Sequence, residues 1–122
     1  MIGILLPVTG LIKRGDIYWV KLDPTEGSEI GKTRPAVVIS NDINNELADT
    51  ITVLPVTSSV GKVYPFEVFL KKGTGNITGD SKVKANQIRT IDKKRIKDRI
   101  GNITEDIMRE IEKALKIHLE IK

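Results

Sequence analysis

Gly31-Lys32-Thr33-Arg34-Pro35-Ala36-Val37-Val38-Ile39-Ser40 runs from a polar loop directly into an unbroken apolar stretch. A short apolar run rich in β-branched residues reads as a buried central strand. Pro35 stands at its entrance, where a missing amide does least harm to a sheet ladder. Upstream, Asp16 to Leu22 alternates, with Tyr18, Val20 and Leu22 on one face and Ile17, Trp19 and Lys21 on the other. Two partly apolar faces predict a strand covered on both sides. Asp23-Pro24 ends it, and a loop rich in glycine and charge fills Thr25 to Arg34. Downstream, Asn41 to Ala48 reads as a turn or short helix with Asn41 or Asp42 as cap. Ile51 to Val56 is another strand, closed by the polar Thr57-Ser58-Ser59. Phe66, Val68 and Leu70 alternate in the next. Lys72 to Asp80 is a glycine-bearing loop, and Ser81 to Ile88 is weakly strand-like.

The last element is a helix from Thr104 to about Leu119. Thr104 is a good N-cap, and Glu105 and Asp106 meet the positive end of the helix dipole. Ile103 and Met108 have the spacing of a hydrophobic staple. Ile107, Ile111, Ala114, Leu115 and His118 recur at helical spacing on one face. Several short strands and one long terminal helix predict a mainly β, α+β domain: a small barrel-like sheet with a helix packed on it.

Composition narrows the function. The chain has 122 residues, enough for one domain, and is 39% hydrophobic but only 4% aromatic, so its core must be built from Ile, Val and Leu. There is no cysteine, which excludes disulfides and thiolate metal sites. A net charge of +4 leans weakly toward polyanions. The apolar start, Met1 to Ile12, is too short to span a membrane. Its cations, Lys13 and Arg14, follow the apolar run rather than precede it, unlike a signal peptide. Residues 1–13 are read as an arm or extra strand, 14–122 as the domain, and the cytoplasm as the default location.

The single histidine, His118, rules out a histidine-pair nuclease within one chain, and no histidine–carboxylate cluster is spaced to hold zinc. No cofactor is expected. Three constellations are left. Pro35 restricts Arg34 toward extended geometry, giving a guanidinium fork a stiff base beside a loop. Such a fork suits phosphate oxygens, or a surface ion pair with Glu26 or Glu29. Thr57, Ser58 and Ser59 put hydroxyls where a strand ends; they can serve a phosphate or stabilise a turn. Lys84 to Arg99 carries seven cations against Asp92 and Asp98, and reads as a backbone track for RNA or a solvated face. Within it, Asn86 and Gln87 can read base edges in unpaired RNA or satisfy backbone groups.

These segments together resemble the MazF/PemK family of toxins. The matching stretches are Arg14-Gly15-Asp16-Ile17-Tyr18-Trp19, Leu22-Asp23-Pro24, Gly27-Ser28-Glu29 leading into Gly31 to Ser40, Leu54-Pro55-Val56-Thr57-Ser58, and Asn86-Gln87-Ile88-Arg89-Thr90-Ile91-Asp92. The resemblance runs in order from Arg14 to the terminal helix. It implies an SH3-like barrel with a C-terminal helix, a homodimer, cleavage of single-stranded RNA, and inhibition by a MazE-like antitoxin. The family's core catalytic pair falls on Arg34 and Thr57, with Glu29 as candidate proton acceptor. RNA-binding positions are assigned to Lys32, Thr33, Ser58, Ser59, Lys84, Asn86, Gln87 and Arg89. The acid–base set of the histidine-using branch is absent, because Ser28, Lys84 and Asn86 occupy its places. Two rivals share the architecture: a CcdB-like gyrase poison and a non-catalytic RNA-binding barrel.

Overall fold

The computed structural model describes residues 12–122. Its elements are β1 (Asp16–Lys21), β2 (Thr33–Val38), a short helix α1 (Asp42–Leu47), β3 (Thr50–Thr57), β4 (Glu67–Leu70), β5 (Ser81–Lys84), β6 (Arg89–Asp92), β7 (Ile96–Asn102) and the long helix α2 (Glu105–Leu119). The strands form one antiparallel sheet in the order β4-β5-β3-β2-β1-β7, with β6 also paired to β3.

The middle of this sheet is β3, which bends from one partner to another. Its first half pairs with β6, ending at Val53 opposite Arg89. Its second half pairs with β5, from Val56 opposite Val83. Pro55 falls in the handover, where a residue without an amide hydrogen costs the ladder nothing. On the other edge, the β2–β3 ladder spans Val38–Val53 to Ala36–Pro55. Pro35 and Pro55 thus border the point where β2 and β3 part company.

Side chains of the sheet supply two apolar clusters. One gathers Ile17, Val37, Leu54, Val56, Val68, Leu70 and Val83 against Met108, Ile111 and Ala114 of α2. The other holds Tyr18, Val20, Leu22, Ala36, Val38, Ile51, Val53 and Ile91. The face of Tyr18, Val20 and Leu22 is buried as the alternation predicts, but on the opposite face only Ile17 is covered, with Trp19 42% exposed and Lys21 in solvent. Ile, Val and Leu dominate the core, with Tyr18 the one aromatic side chain buried completely.

Helix α2 forms as its sequence dictates. Thr104 accepts the Ile107 amide at the N-terminus, and Ile103 and Met108 are both buried in the same cluster. His118, grouped with the apolar face by its spacing, is exposed. The capping residue of α1 is Asn41, which accepts the Asn44 amide at 2.8 Å. The expected N-terminal arm lies outside the described residues except at its end. There Ile12 is buried, and the Lys13 amide donates to Asp16 Oδ2 at 3.0 Å.

The basic run from Lys84 to Arg99 departs from its reading as a continuous track or solvated face. It contains β6 and β7, with Ile91 buried and Ile96 and Ile100 packed on the core. Most of its cations hold the fold together. Arg89 donates to the Leu22 carbonyl at 2.8 Å, Lys93 to the Asn45 carbonyl at 2.6 Å, and Arg95 to the Lys21 and Asp23 carbonyls at 3.0 and 2.6 Å. Lys84 pairs with Glu67, and Arg99 with Asp16. Carbonyls at strand ends need donors, and long cationic side chains provide them.

Two glycines set how closely the 70s loop lies on the sheet. A Cβ on Gly101 of β7 would collide with the Gly75 carbonyl, and Gly75 itself has φ +54°. Asn76 seals the contact by donating from Nδ2 to the Ile100 carbonyl at 3.0 Å.

Candidate active site

Arg34 and Thr57 lie just beyond the last rung of the β2–β3 ladder. Continuing the Ala36–Pro55 register outward by two residues sets Arg34 opposite Thr57. Strand alternation puts both on the same face as Ala36 and Val53. The β3–β5 pairing carries the row one strand further, since Thr57 stands opposite Lys82. Lys82 in turn stands opposite Phe69, and Lys84 opposite Glu67. Thr57 and Lys82 are therefore cross-strand neighbours, and the extended register sets Arg34 on the other side of Thr57, although the three are far apart in the sequence.

The Arg34 side chain is oriented by its own loop. Its Nε donates to the Gly31 carbonyl at 2.8 Å, and its terminal amino groups have no acceptor among the described residues. The carbonyl is well placed to do this because the loop is held tightly where it enters β2. Lys32 takes a left-handed conformation, φ 65°, and Gly31 packs so tightly on Asp23 and Thr25 that a Cβ would come within 2.7 Å of Thr25 Oγ1. No ion pair joins Arg34 to Glu26 or Glu29 among the described residues. Thr57 is buried, and its hydroxyl oxygen accepts the Ser59 amide at 3.1 Å. The turn-stabilising use of this threonine is therefore real, but it consumes only a lone pair. The hydroxyl hydrogen has no acceptor among the described residues, so the group can still donate.

Two clefts flank the row. A cleft of about 500 Å³ is lined by Trp19, Thr33, Arg34, Pro35, Ser58, Ile77 and Arg99, among others. Thr57 does not line it, although its neighbours Val56 and Ser58 do. A second cleft, about 440 Å³, gathers Glu29, Ile30, Asn86, Gln87, Ile88 and Arg89. Sequence reasoning singled out Glu29 and, from one later segment, Asn86, Gln87 and Arg89, and the fold brings the two segments together here. Their hydrogen bonds are partly structural: Gln87 Oε1 accepts the Ile30 amide at 3.3 Å, and Glu29 Oε1 accepts the Glu26 amide at 2.9 Å. Asn86 Oδ1 is buried without a partner among the described residues. Lys32, Thr33, Ser58 and Ser59 are exposed around the mouths of the clefts and strand ends.

A charged cluster missed in the sequence adjoins Thr57. Glu67, with a side chain only 1% exposed, receives Lys82 Nζ on Oε1 and Lys84 Nζ on Oε2, each at 2.9 Å. It also accepts the Tyr64 amide at 3.0 Å. Burial alone would push the carboxyl pKa up. The Tyr64 amide and the two ammonium groups outweigh it and hold the pKa at about 2. The available signal was the period-two spacing of Lys82 and Lys84 opposite an acidic residue on a neighbouring strand.

A barrel-like sheet with a terminal helix carries an arginine and a threonine at the neighbouring ends of β2 and β3. The family of PemK-like, MazF-like toxins of type II toxin–antitoxin systems matches residues 13–119, and the chain belongs to it. The relatives agree. Endoribonuclease MazF9 of Mycobacterium tuberculosis (strain ATCC 25618 / H37Rv) is 43% identical over 116 residues, covering 91% of this chain and 98% of that protein. The crystal structure of MazF (Form-I) from Deinococcus radiodurans superposes with a TM-score of 0.78 at 31% identity, covering 90% of this chain and 97% of that one. MazE-MazF (Form-II) from the same organism gives 0.72 at 28% identity, with coverage of 92% and 98%.

Proposed function

We propose that this toxin is a metal-independent endoribonuclease that cuts single-stranded RNA at short sequences, with Arg34 and Thr57 as its catalytic pair. What supports this pair is the register: the last β2–β3 rung, Ala36–Pro55, extended outward by two residues sets Arg34 opposite Thr57 where β2 and β3 separate. Near-full-length identity to a named endoribonuclease supports the enzyme over a gyrase poison or a passive RNA-binding barrel.

In the proposed reaction the ribose 2′-oxygen attacks the adjacent phosphorus. The bond from phosphorus to the 5′-oxygen breaks, leaving a 2′,3′-cyclic phosphate and a 5′-hydroxyl. Negative charge grows on the non-bridging oxygens of the five-coordinate transition state. Arg34, with Nε anchored on the Gly31 carbonyl, aims its terminal N–H groups at that charge, and the Thr57 hydroxyl adds a donor. A preorganised donor of this kind contributes about 3–4 kcal/mol to the transition state. A guanidinium with a pKa above about 12 does not serve as a proton donor, so its role is electrostatic. The 2′-hydroxyl proton passes to an acceptor for which Glu29, lining the neighbouring cleft, is the candidate, and the leaving 5′-oxygen takes up a proton from water. Asn86, Gln87 and Arg89 in that cleft, with Lys32, Thr33, Ser58, Ser59 and Lys84 around the strand ends, form the RNA-binding surface.

The partner of this toxin is proposed to be a MazE-like antitoxin, as in the MazE-MazF structure, and the working form a homodimer in the cytoplasm. No helix among the described residues is long and apolar enough to cross a membrane. The test is cleavage of a transcript in EDTA, with fragment ends sequenced. A substrate carrying 2′-deoxyribose at the cut position must resist. Normal cutting of that analogue would rule out attack by the 2′-oxygen.

A further inference from the structure

The chain contains only two tyrosines, two phenylalanines and one tryptophan. Tyr64 and Phe66 are stacked, with ring centroids 5.4 Å apart and an angle of 2° between their planes. Phe66 is half-buried and Tyr64 is 44% exposed. A large ring left in water gives up the stabilisation that burial would bring, yet this one is firmly held. The Tyr64 amide donates to Glu67 Oε1, and the Glu67 amide donates back to the Tyr64 carbonyl at 2.8 Å. Lys82 ties the same turn to the catalytic row: its Nζ donates to the Lys62 carbonyl and to Glu67 at 2.9 Å, and its backbone faces Thr57 across the strand pair. Two ammonium groups surround the ring, Lys62 Nζ at 5.0 Å and Lys82 Nζ at 5.9 Å from its centroid.

A ring 44% exposed beside cations, tied through Lys82 to the strand that faces Thr57, suits a planar base flanked by phosphates. We propose that Tyr64, backed by Phe66, is a stacking subsite for an unpaired nucleobase adjacent to the cut. This rests on the ribonuclease reading above. Lys62 is exposed, and an arriving base displaces its ammonium from the ring toward the next phosphate. Stacking of one base outweighs the exposed cation–π contact it replaces. Sequence preference at that position then follows stacking strength, and the low aromatic content of the chain does not weigh against a stacking contact.

The test uses the full chain in two arms. In cleavage assays, Tyr64→Ala raises KM by roughly 5- to 150-fold, the equivalent of about 1–3 kcal/mol per stacked base, with kcat within about threefold. Tyr64→Phe stays within about twofold of the parent. An abasic nucleotide at one position beside the cut weakens the parent by a similar factor and costs Tyr64→Ala nothing more. In the second arm, the non-cutting Arg34→Ala protein quenches 2-aminopurine at that same position and at no distant one; this arm does not depend on how well Tyr64→Ala folds. Unchanged KM in Tyr64→Ala, abasic losses that add to it at every position, or loss of antitoxin binding alone would each overturn the subsite. If the parent chain cuts no RNA, the ribonuclease reading has failed as well. If it cuts and Tyr64→Ala behaves like it, only the stacking subsite has failed.

Discussion

Replacing Glu67 by Gln keeps the shape of the side chain and removes its charge. The carboxyl has an ordinary pKa of 4.5 and is held at about 2 in the fold. That gap corresponds to roughly 3 kcal/mol of stability at neutral pH. The sign follows from linkage. A carboxyl whose folded pKa is depressed stabilises the protein fully above its unfolded value, here above about pH 4.5, and the contribution disappears as the pH falls through about 2. Glu67→Gln also leaves Lys82, almost wholly buried, without its counter-charge, the kind of truncation that costs about 3–5 kcal/mol. Both routes predict a loss of about 3 kcal/mol at pH 7, near a quarter to a half of the stability of a typical small domain. Urea titrations of parent and variant at pH 7, 5, 3.5 and 2.5 read the difference directly. The two curves converge toward the lowest pH. A deficit of the same size at pH 7 and pH 2.5 would mean that packing, and not the ionised carboxylate, stabilises the cluster, and the electrostatic account would be wrong.

Gly101→Ala drives a methyl group into the Gly75 backbone and is expected to destabilise by about 1–3 kcal/mol, read as a lowered Tm; an unchanged Tm would show that the 70s loop can lift off β7 freely. Tyr18→Phe removes the buried hydroxyl that donates to Asp16 Oδ2 at 3.1 Å, leaving a mostly buried carboxylate with one fewer donor. A loss of about 1–3 kcal/mol in urea denaturation is expected, and a neutral outcome would mean that Arg99 and the Lys13 amide satisfy Asp16 by themselves.

Much of the fold was legible because its elements are locally consistent. Pro35 to Ser40 has no plausible home but a covered strand, and the signals of α2 agree at every position from Thr104 to Leu119 except His118. What the sequence hid was β6 and β7. Isoleucines recur there at Ile88, Ile91, Ile96 and Ile100, but Lys93, Lys94, Arg95 and Lys97 crowd between them and read as a solvated run. The lysine and arginine stems cover the sheet while their heads reach the carbonyls of the β1–β2 connection, and no local pattern announces a contact between Arg95 and Asp23. At the candidate site, the proline beside Arg34 and the strand end at Thr57 marked both residues, but each pattern fitted an ion pair or a turn equally, and only the family resemblance assigned them a catalytic role. The neighbourhood of Lys82, Glu67 and Tyr64 was not marked, because cross-strand register is a property of the folded sheet and not of any one segment.

The central claim is that Arg34 and Thr57 act as a unit on one phosphodiester. Single-turnover cleavage of one defined oligonucleotide by the parent, Arg34→Ala, Thr57→Ala and the double variant tests it most directly. Arg34→Ala should slow the reaction by about 10²- to 10³-fold while still binding RNA, and the double variant should be little worse than the slower single one. If Arg34→Ala cuts within a few-fold of the parent rate, or if the two losses simply multiply, the paired site described above is not where this chain does its chemistry.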